Sequence, residues 1–133
     1  MTNEEFQKHL EETYPKMFSG QYGGVAVGDG WLPIIQVLCS HIQTHIDWRN
    51  KTKEGSVTQV VVEQIKEKFG GLRVYFTGGD EYVEGLVKMA ECWSYNTCEV
   101  CGERGKPNKG GWISTLCDKC RNKDQWNPPE FPG

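Results

Sequence analysis

Two Cys-x-x-Cys pairs near the C-terminus constrain this chain more than any other feature. Cys98 pairs with Cys101 and Cys117 pairs with Cys120, and fifteen residues separate the two pairs. Two residues between paired cysteines let one tight turn aim both sulfur atoms at a single ion, and two such pairs supply the four ligands of a tetrahedral zinc site. The spacing therefore predicts one structural zinc ion held by four thiolates.

The residues around these pairs predict the shape of the zinc module. Gly102 can adopt the positive φ that brings backbone amides towards the sulfur atoms. A turn at Gly110-Gly111, a strand over residues 112–116 and a helix over residues 117–123 are predicted next. A knuckle, a hairpin and a helix in this order resemble a treble-clef zinc finger. Two disulfides, or a redox-active thiol pair, are the competing interpretations, although redox Cys-x-x-Cys pairs normally accompany a βαβ pattern that is not predicted here.

The length of 133 residues predicts one small domain. We divide it into a body at residues 1–97, a zinc finger packed on the body at residues 98–123 and a proline-rich tail at residues 124–133. Apolar runs fall well short of the roughly 20 residues of a membrane span, and the N-terminus is acidic where a secretory signal would be basic and then apolar. A cytoplasmic protein is expected, with Cys39 and Cys92 as reduced core residues.

The fold class predicted for the body is α+β, with helices around a β-hairpin that centres an antiparallel sheet. Thr2 and Glu5 form a capping box for a helix over residues 3–13. Asp29 is the predicted N-cap of the main core helix, which has Pro33 in its first turn and continues to about Asp47. A third helix, capped by Asp80, leads into the zinc finger and buries the apolar residues Val83, Leu86, Val87, Ala90 and Trp93.

The central hairpin is predicted from alternating β-branched residues. The first strand covers residues 57–68, Gly70-Gly71 is a two-residue turn, and the second strand covers residues 72–77.

Histidine positions argue against an enzyme. His9, His41 and His45 all precede the zinc finger, and neither a nucleophile motif nor a third metal ligand accompanies them. His41 and His45 lie one helical turn apart, which is a spacing that can chelate a metal ion. We favour instead a core-edge histidine with one hydrogen bond at His45, because it falls on the apolar face of its helix.

Three regions are candidate ligand or partner surfaces. The glycine-rich loop contributes Tyr22, Gly23, Gly24, Asp29 and Trp31, and tight-turn geometry is its competing interpretation. Lys68 and Arg73 lie near the hairpin turn, where charge is also typical of an ordinary solvated edge. Arg104, Lys106 and Trp112 belong to the finger, whose six cations exceed its three carboxylates, although the whole chain has a formal charge of −3.

Four segments together resemble a family of small uncharacterised proteins from bacteriophage and prophage genomes. They read YPKMFSGQYGG, GDGWLPIIQVLC, QIKEKFGGLRVYFTGG and TCEVCGERGKPNKGGWISTLCDKC, and they span Tyr14 to Cys120. Relatives often have histidine as the last metal ligand, where this chain has Cys120. The resemblance implies a phage origin and a host-cytoplasmic setting, in which small accessory proteins often bind host or bacterial defence proteins.

The leading prediction for function is therefore a phage-encoded accessory protein that modulates a host or defence protein and contains a structural zinc site. A zinc-finger nucleic-acid-binding protein is the first alternative, because the finger is cationic and Trp112 offers a stacking surface. A protein that sequesters a small molecule or nucleotide at the glycine-rich loop beside Trp31 is the second.

Overall fold

The computed structural model describes residues 2–52 and 55–121. The predicted tail at residues 124–133 lies outside them. In chain order the elements are α1 (Asn3–Thr13), β1 (Val25–Ala26), a 3₁₀ turn (Asp29–Trp31), α2 (Leu32–Lys51), β2 (Val61–Lys68), β3 (Gly71–Thr77), α3 (Glu81–Ser94), β4 (Lys106–Pro107), β5 (Thr115–Leu116) and α4 (Asp118–Arg121). The α+β class is confirmed. None of the described helices combines the length and the apolar character needed to cross a membrane.

The main sheet has the strand order β1-β2-β3. Strands β2 and β3 form the predicted antiparallel hairpin, with Ile65 opposite Val74 and Lys66 opposite Arg73. The short strand β1 pairs parallel to β2, so the sheet is mixed, and this pairing was not predicted. A two-residue strand gives too little alternation to be detected from sequence.

The hairpin turn is one residue earlier than predicted. Lys68 pairs with Gly71, so the two turn residues are Phe69 and Gly70 and not Gly70-Gly71. Both have positive φ, of 52° and 80°, as a type I′ turn requires. Gly71 is the first residue of β3, and a Cβ atom there would lie 2.3 Å from the Tyr95 ring. Gly71 is therefore required for close packing, whereas Gly70 is required for the turn.

Strand β2 begins at Val61, four residues later than predicted. Val57 instead exchanges hydrogen bonds with the side chain of Asn50 near the end of α2, at 2.7 and 3.2 Å. The partner strand ends at Thr77, which pairs with Val61. The earlier residues consequently have no strand beside them, although Val57 and Val60 are buried.

The helix caps are confirmed at two positions and corrected at a third. The Thr2 hydroxyl accepts a hydrogen bond from the Glu5 backbone N–H, and an Asp80 carboxylate oxygen accepts one from Val83. Asp29 does not cap α2, because it is the first residue of the 3₁₀ turn that precedes the helix. Helix α2 also continues to Lys51, one turn beyond its predicted end.

The hydrophobic core lies between the sheet and the helices. Helices α1 and α2 bury apolar faces, and α3 packs against both α2 and β3. The largest completely buried side chains are Trp31, Leu10, Met17, Ile35, Ile42, Ile46, Ile65 and Leu72. Because Lys66, Lys68 and Arg73 alternate with the buried residues of the hairpin, the other face of the sheet carries positive charge.

Candidate metal centre

The first cysteine pair forms the predicted knuckle. Gly102 has a φ of +84°, and its N–H donates to the Cys98 carbonyl at 2.9 Å, which closes the turn. The Cys98 N–H donates to the Glu103 carbonyl at 2.7 Å. These bonds fix the backbone on both sides of the pair. Cys98 is buried and Cys101 is exposed.

The second pair lies at the beginning of helix α4. Strands β4 and β5 form the hairpin between the pairs, with Lys106 opposite Leu116. The chain then enters α4, where the Cys120 N–H points at the Cys117 sulfur at 3.4 Å. Knuckle, hairpin and short helix follow one another as predicted, although the strand at residues 112–116 is regular only over its last two residues.

Together the two pairs form one cluster. The four sulfur atoms lie within 4.8 Å of one another, and the Cys101 and Cys117 sulfurs, from different pairs, are 3.5 Å apart. A tetrahedral ion with Zn–S bonds of about 2.3 Å needs sulfur atoms about 3.8 Å apart, so the cluster fits a four-coordinate metal ion. No family model, curated protein or solved structure matches this chain.

None of these four cysteines forms a disulfide, and the pKa values of their thiols differ. Burial raises the pKa of Cys98, but backbone N–H groups of Cys117, Cys101 and Val100 outweigh it and bring the pKa to about 7. Burial, and then the neighbouring thiols, raise the pKa of Cys120 to about 12. Four thiolates this close repel one another, so full ionisation requires a cation among them.

The knuckle is packed directly on the body through two glycines. The Gly30 N–H donates to the Glu99 carbonyl at 2.7 Å, and the Gly28 N–H donates to the Glu99 carboxylate at 2.9 Å. A Cβ atom at Gly30 would lie 2.0 Å from the Cys98 carbonyl oxygen, and one at Gly28 would lie 2.3 Å from that of Glu99. Side chains are therefore excluded at both positions, and the glycine-rich loop serves here as a seat for the knuckle.

Trp31 completes this junction and corrects one expected surface residue. Its side chain is completely buried, and the indole N–H donates to the Thr97 carbonyl at 2.8 Å. Trp31 is thus a core residue, and it cannot form the wall of an accessible ligand site at the glycine-rich loop. Hydrogen bonds join the body and the finger at several points. The division of the chain between residues 97 and 98 stays a prediction.

The hairpin turn makes a second junction with the finger. The Thr115 hydroxyl donates to the Gly70 carbonyl at 2.6 Å, and both residues are buried. A Cβ atom at Gly70 would lie 2.8 Å from the Ile113 side chain. The finger therefore contacts the body at the hairpin turn as well as at the glycine-rich loop.

Two other candidates from the glycine-rich loop, Gly23 and Gly24, form backbone hydrogen bonds with strand β2. The Gly23 N–H donates to Glu63, and the Gly24 carbonyl accepts from Ile65. The Tyr22 hydroxyl donates to the Glu11 carboxylate; burial, followed by that carboxylate, raises the pKa of Tyr22 to about 12. Asp29 is exposed in the 3₁₀ turn. Binding by these residues stays a prediction.

The remaining surface candidates do not form one site. The Arg73 guanidinium donates to the Tyr95 hydroxyl at 2.8 Å, and that hydrogen bond raises the pKa of Arg73 further. Arg104 and Lys106 are exposed on the finger. Lys68 and Trp112, by contrast, line one cavity of about 400 Å³ between the hairpin turn and the finger. A ligand for any of these residues stays a prediction.

His45 and the two cysteines outside the cluster, Cys39 and Cys92, lie on helices of the body. His45 is 13% exposed and hydrogen-bonds Asp80 at 2.8 Å, which confirms the core-edge interpretation. Within the described residues, the four-cysteine cluster is the one group of three or more ligating side chains close enough to share an ion. Cys39 is buried as predicted, whereas Cys92 is exposed on α3, which corrects its assignment to the core.

Sequence reasoning missed a groove on the outer surface of helices α2 and α3. This α2/α3 groove has a volume of about 280 Å³ and an apolar lining that includes Val37, Leu38, His41, Tyr82, Met89 and Trp93. Trp93 was assigned to the buried face but is 49% exposed, and Met89 is 70% exposed. The sequence did contain a signal for this groove. Tyr82, Leu86, Met89 and Trp93 recur at three and four residues, which gives α3 a second apolar stripe beside the one that faces the core.

Proposed function

We propose that this chain is a zinc-stabilised accessory protein of bacteriophage type that binds a host or defence-system protein through the α2/α3 groove. The observation that carries the proposal is the groove itself, where large apolar side chains remain exposed on two adjacent helices. Contiguous exposed apolar surface is typical of protein interaction sites. The sequence resemblance to small phage proteins supports the cellular setting.

In this proposal the metal is zinc and its role is structural. Four thiolates complete a tetrahedral site, whereas catalytic zinc sites keep one position open for water or substrate. Two of the ligands belong to the knuckle that Gly28 and Gly30 hold against the body, so zinc binding stabilises that junction together with the finger.

The occupant of the groove is an amphipathic helix of the partner protein. Val37, Leu38 and His41 lie on one stripe of α2, and Tyr82, Met89 and Trp93 lie on one stripe of α3. Two neighbouring helical ridges leave a channel into which the apolar stripe of a third helix can pack. The lining includes no Asp, Glu, Lys or Arg, so an apolar stripe matches it. Trp93 and Tyr82 are residue types that contribute strongly at protein interfaces.

The zinc assignment is tested by metal analysis of protein purified without added zinc, which should contain one zinc ion per chain. Cys117→Ser should lose the metal and unfold at a lower temperature, because binding energy at a structural site is folding energy. Cys39→Ser, a buried cysteine outside the cluster, should retain the metal. A folded wild-type protein with little metal would contradict the assignment.

The groove is tested by affinity purification from host lysate with zinc-loaded full-length chain. A partner that binds wild type and Tyr75→Ala should be lost with Trp93→Ala and Met89→Glu. Tyr75 is the matched control because it is a 40% exposed aromatic residue on the sheet. Retention of the same partner by Met89→Glu would refute the groove. Measurement of molar mass adds a second check, since a wild-type dimer that Met89→Glu makes monomeric would identify a second copy as the occupant.

A further inference from the structure

The hairpin turn and the finger enclose a cleft that the proposed protein-binding function does not use. The cavity measures about 400 Å³; its lining comprises Glu67, Lys68 and Phe69 from the hairpin and Gly111, Trp112 and Ile113 from the finger. We call it the Phe69/Trp112 cleft. Phe69 is 69% exposed and Trp112 is 55% exposed. Two accessible aromatic rings on different parts of the fold therefore face one space.

Phe69 has a backbone conformation that its residue type disfavours. Its φ is 52°, in the left-handed region, and it is the one non-glycine residue with positive φ in the described part of the chain. Asparagine, aspartate or glycine is the usual choice at the first position of a type I′ turn. Burial does not compensate, because most of the side chain is exposed. Strained residues that persist without a packing reason are concentrated at binding sites.

Positive charge lies beside the aromatic rings. The Lys68 ammonium group is 5.7 Å from the centre of the Phe69 ring. Lys66 and Arg73 are cross-strand partners and continue the positive charge along the same face of the hairpin. On the finger side, Lys109 is exposed just before the loop that contains Trp112. Glu67 also lines the cleft, and its carboxylate accepts a hydrogen bond from the Gly70 N–H at 2.7 Å, which stabilises the turn.

We propose that the Phe69/Trp112 cleft binds a nucleoside phosphate, with the base against the aromatic side chains and the phosphate near Lys68. Aromatic rings that stack on a base, next to cations that attract phosphate, are the shared chemistry of nucleotide and single-strand recognition. The ligand is either a free nucleotide or one nucleotide of a single strand. The cleft lies apart from the α2/α3 groove, and the two sites share none of their lining residues.

The test uses full-length zinc-loaded protein and calorimetric titration with AMP, with adenosine and with a short single-stranded oligonucleotide. Saturable binding of AMP or of the oligonucleotide is expected, with shifts of the Phe69, Gly70 and Gly111 amides in NMR spectra. Trp112→Ser should weaken binding about tenfold, which is the scale of one lost stacking contact. Trp48→Ser is the matched control, since Trp48 is 61% exposed on α2 and outside the cleft.

Two further variants add controls. One distinguishes recognition of the phosphate from recognition of the base, and the other distinguishes an effect on binding from an effect on stability. Lys68→Gln should weaken AMP binding and leave adenosine binding unchanged. Phe69→Asn should weaken binding while its thermal midpoint equals or exceeds that of wild type. Tighter, salt-sensitive binding of the oligonucleotide would identify a strand as the source of the ligand, and equal binding would identify the free nucleotide.

Three results would overturn the proposal. They are the absence of saturable binding by both AMP and the oligonucleotide, equal losses for Trp112→Ser and Trp48→Ser, or a lower thermal midpoint for Phe69→Asn. The last result would mean that Phe69 stabilises the fold. Met89→Glu should leave AMP binding unchanged, because Met89 lies in the α2/α3 groove and not in the cleft. Failure of the nucleotide proposal can therefore be distinguished from failure of the protein-binding proposal.

Discussion

At the scale of single residues, the left-handed conformation of Phe69 gives the sharpest stability prediction. An L-residue in this region costs about 1–2 kcal/mol, and Asn pays less than Phe because its short polar side chain bonds locally. Phe69→Asn creates the Asn-Gly sequence that type I′ turns prefer. We expect the free energy of unfolding to rise by about 1 kcal/mol. Urea denaturation of zinc-loaded protein would measure it, and a value below that of wild type would contradict the argument.

The position of the turn at Phe69 and Gly70 could not be predicted from the sequence. Two adjacent glycines after a strand predict a two-residue turn at Gly70-Gly71, and the hairpin itself was predicted correctly. The register depends instead on tertiary contacts, because Gly71 must pass the Tyr95 ring and Gly70 must pass Ile113. Neither contact is visible in local sequence. The metal ligands were predictable because the chemistry of the Cys-x-x-Cys pair is itself local.

At the scale of elements, Gly30 is required because the knuckle packs closely against it, and not because its backbone needs a positive φ. A Cβ atom there would overlap the Cys98 carbonyl oxygen at 2.0 Å. Gly30→Ala should therefore push the knuckle from the body and cost at least about 2 kcal/mol, as overpacked sites do. Calorimetric melting and the rate of zinc loss to a chelator would report both effects.

Gly85 on α3 is the matched control for Gly30. A Cβ atom at Gly85 would have no atom within 4 Å outside its own helix backbone. Gly85→Ala should stabilise the protein by about 1 kcal/mol through helix propensity, with zinc retention unchanged. Equal effects of the two alanines would show that Gly30 does not seat the knuckle.

The elements also show which local signals were sufficient. Apolar periodicity located α2 and α3, and side-chain caps at Thr2 and Asp80 marked the starts of α1 and α3. Asp29 carried the same cap signal but lies in a 3₁₀ turn, because the Gly28 and Gly30 contacts with Glu99 set the backbone there. A cap assigned from residue type fails where a tertiary contact determines the preceding turn.

At the scale of the whole molecule, charge predicts how the protein responds to salt. The chain has a formal charge of −3, and four thiolates around zinc would leave the finger more acidic than its side chains suggest. The Arg121 guanidinium donates to the carbonyls of Lys106 and Leu116, so this cation is held by the finger. Charge alone therefore gives weak attraction for a nucleic-acid backbone.

We accordingly expect duplex DNA to be retained at low salt only. Backbone contacts release condensed counterions, so such binding falls steeply as salt rises, and paired bases cannot stack in the Phe69/Trp112 cleft. A protein partner in the apolar α2/α3 groove should survive moderate salt, because burial of apolar surface drives that contact. Gel shifts and affinity purification across a salt series would compare the two. Submicromolar binding of duplex DNA at physiological salt, abolished by Arg104→Ala together with Lys106→Ala, would instead establish the finger as a nucleic-acid-binding surface.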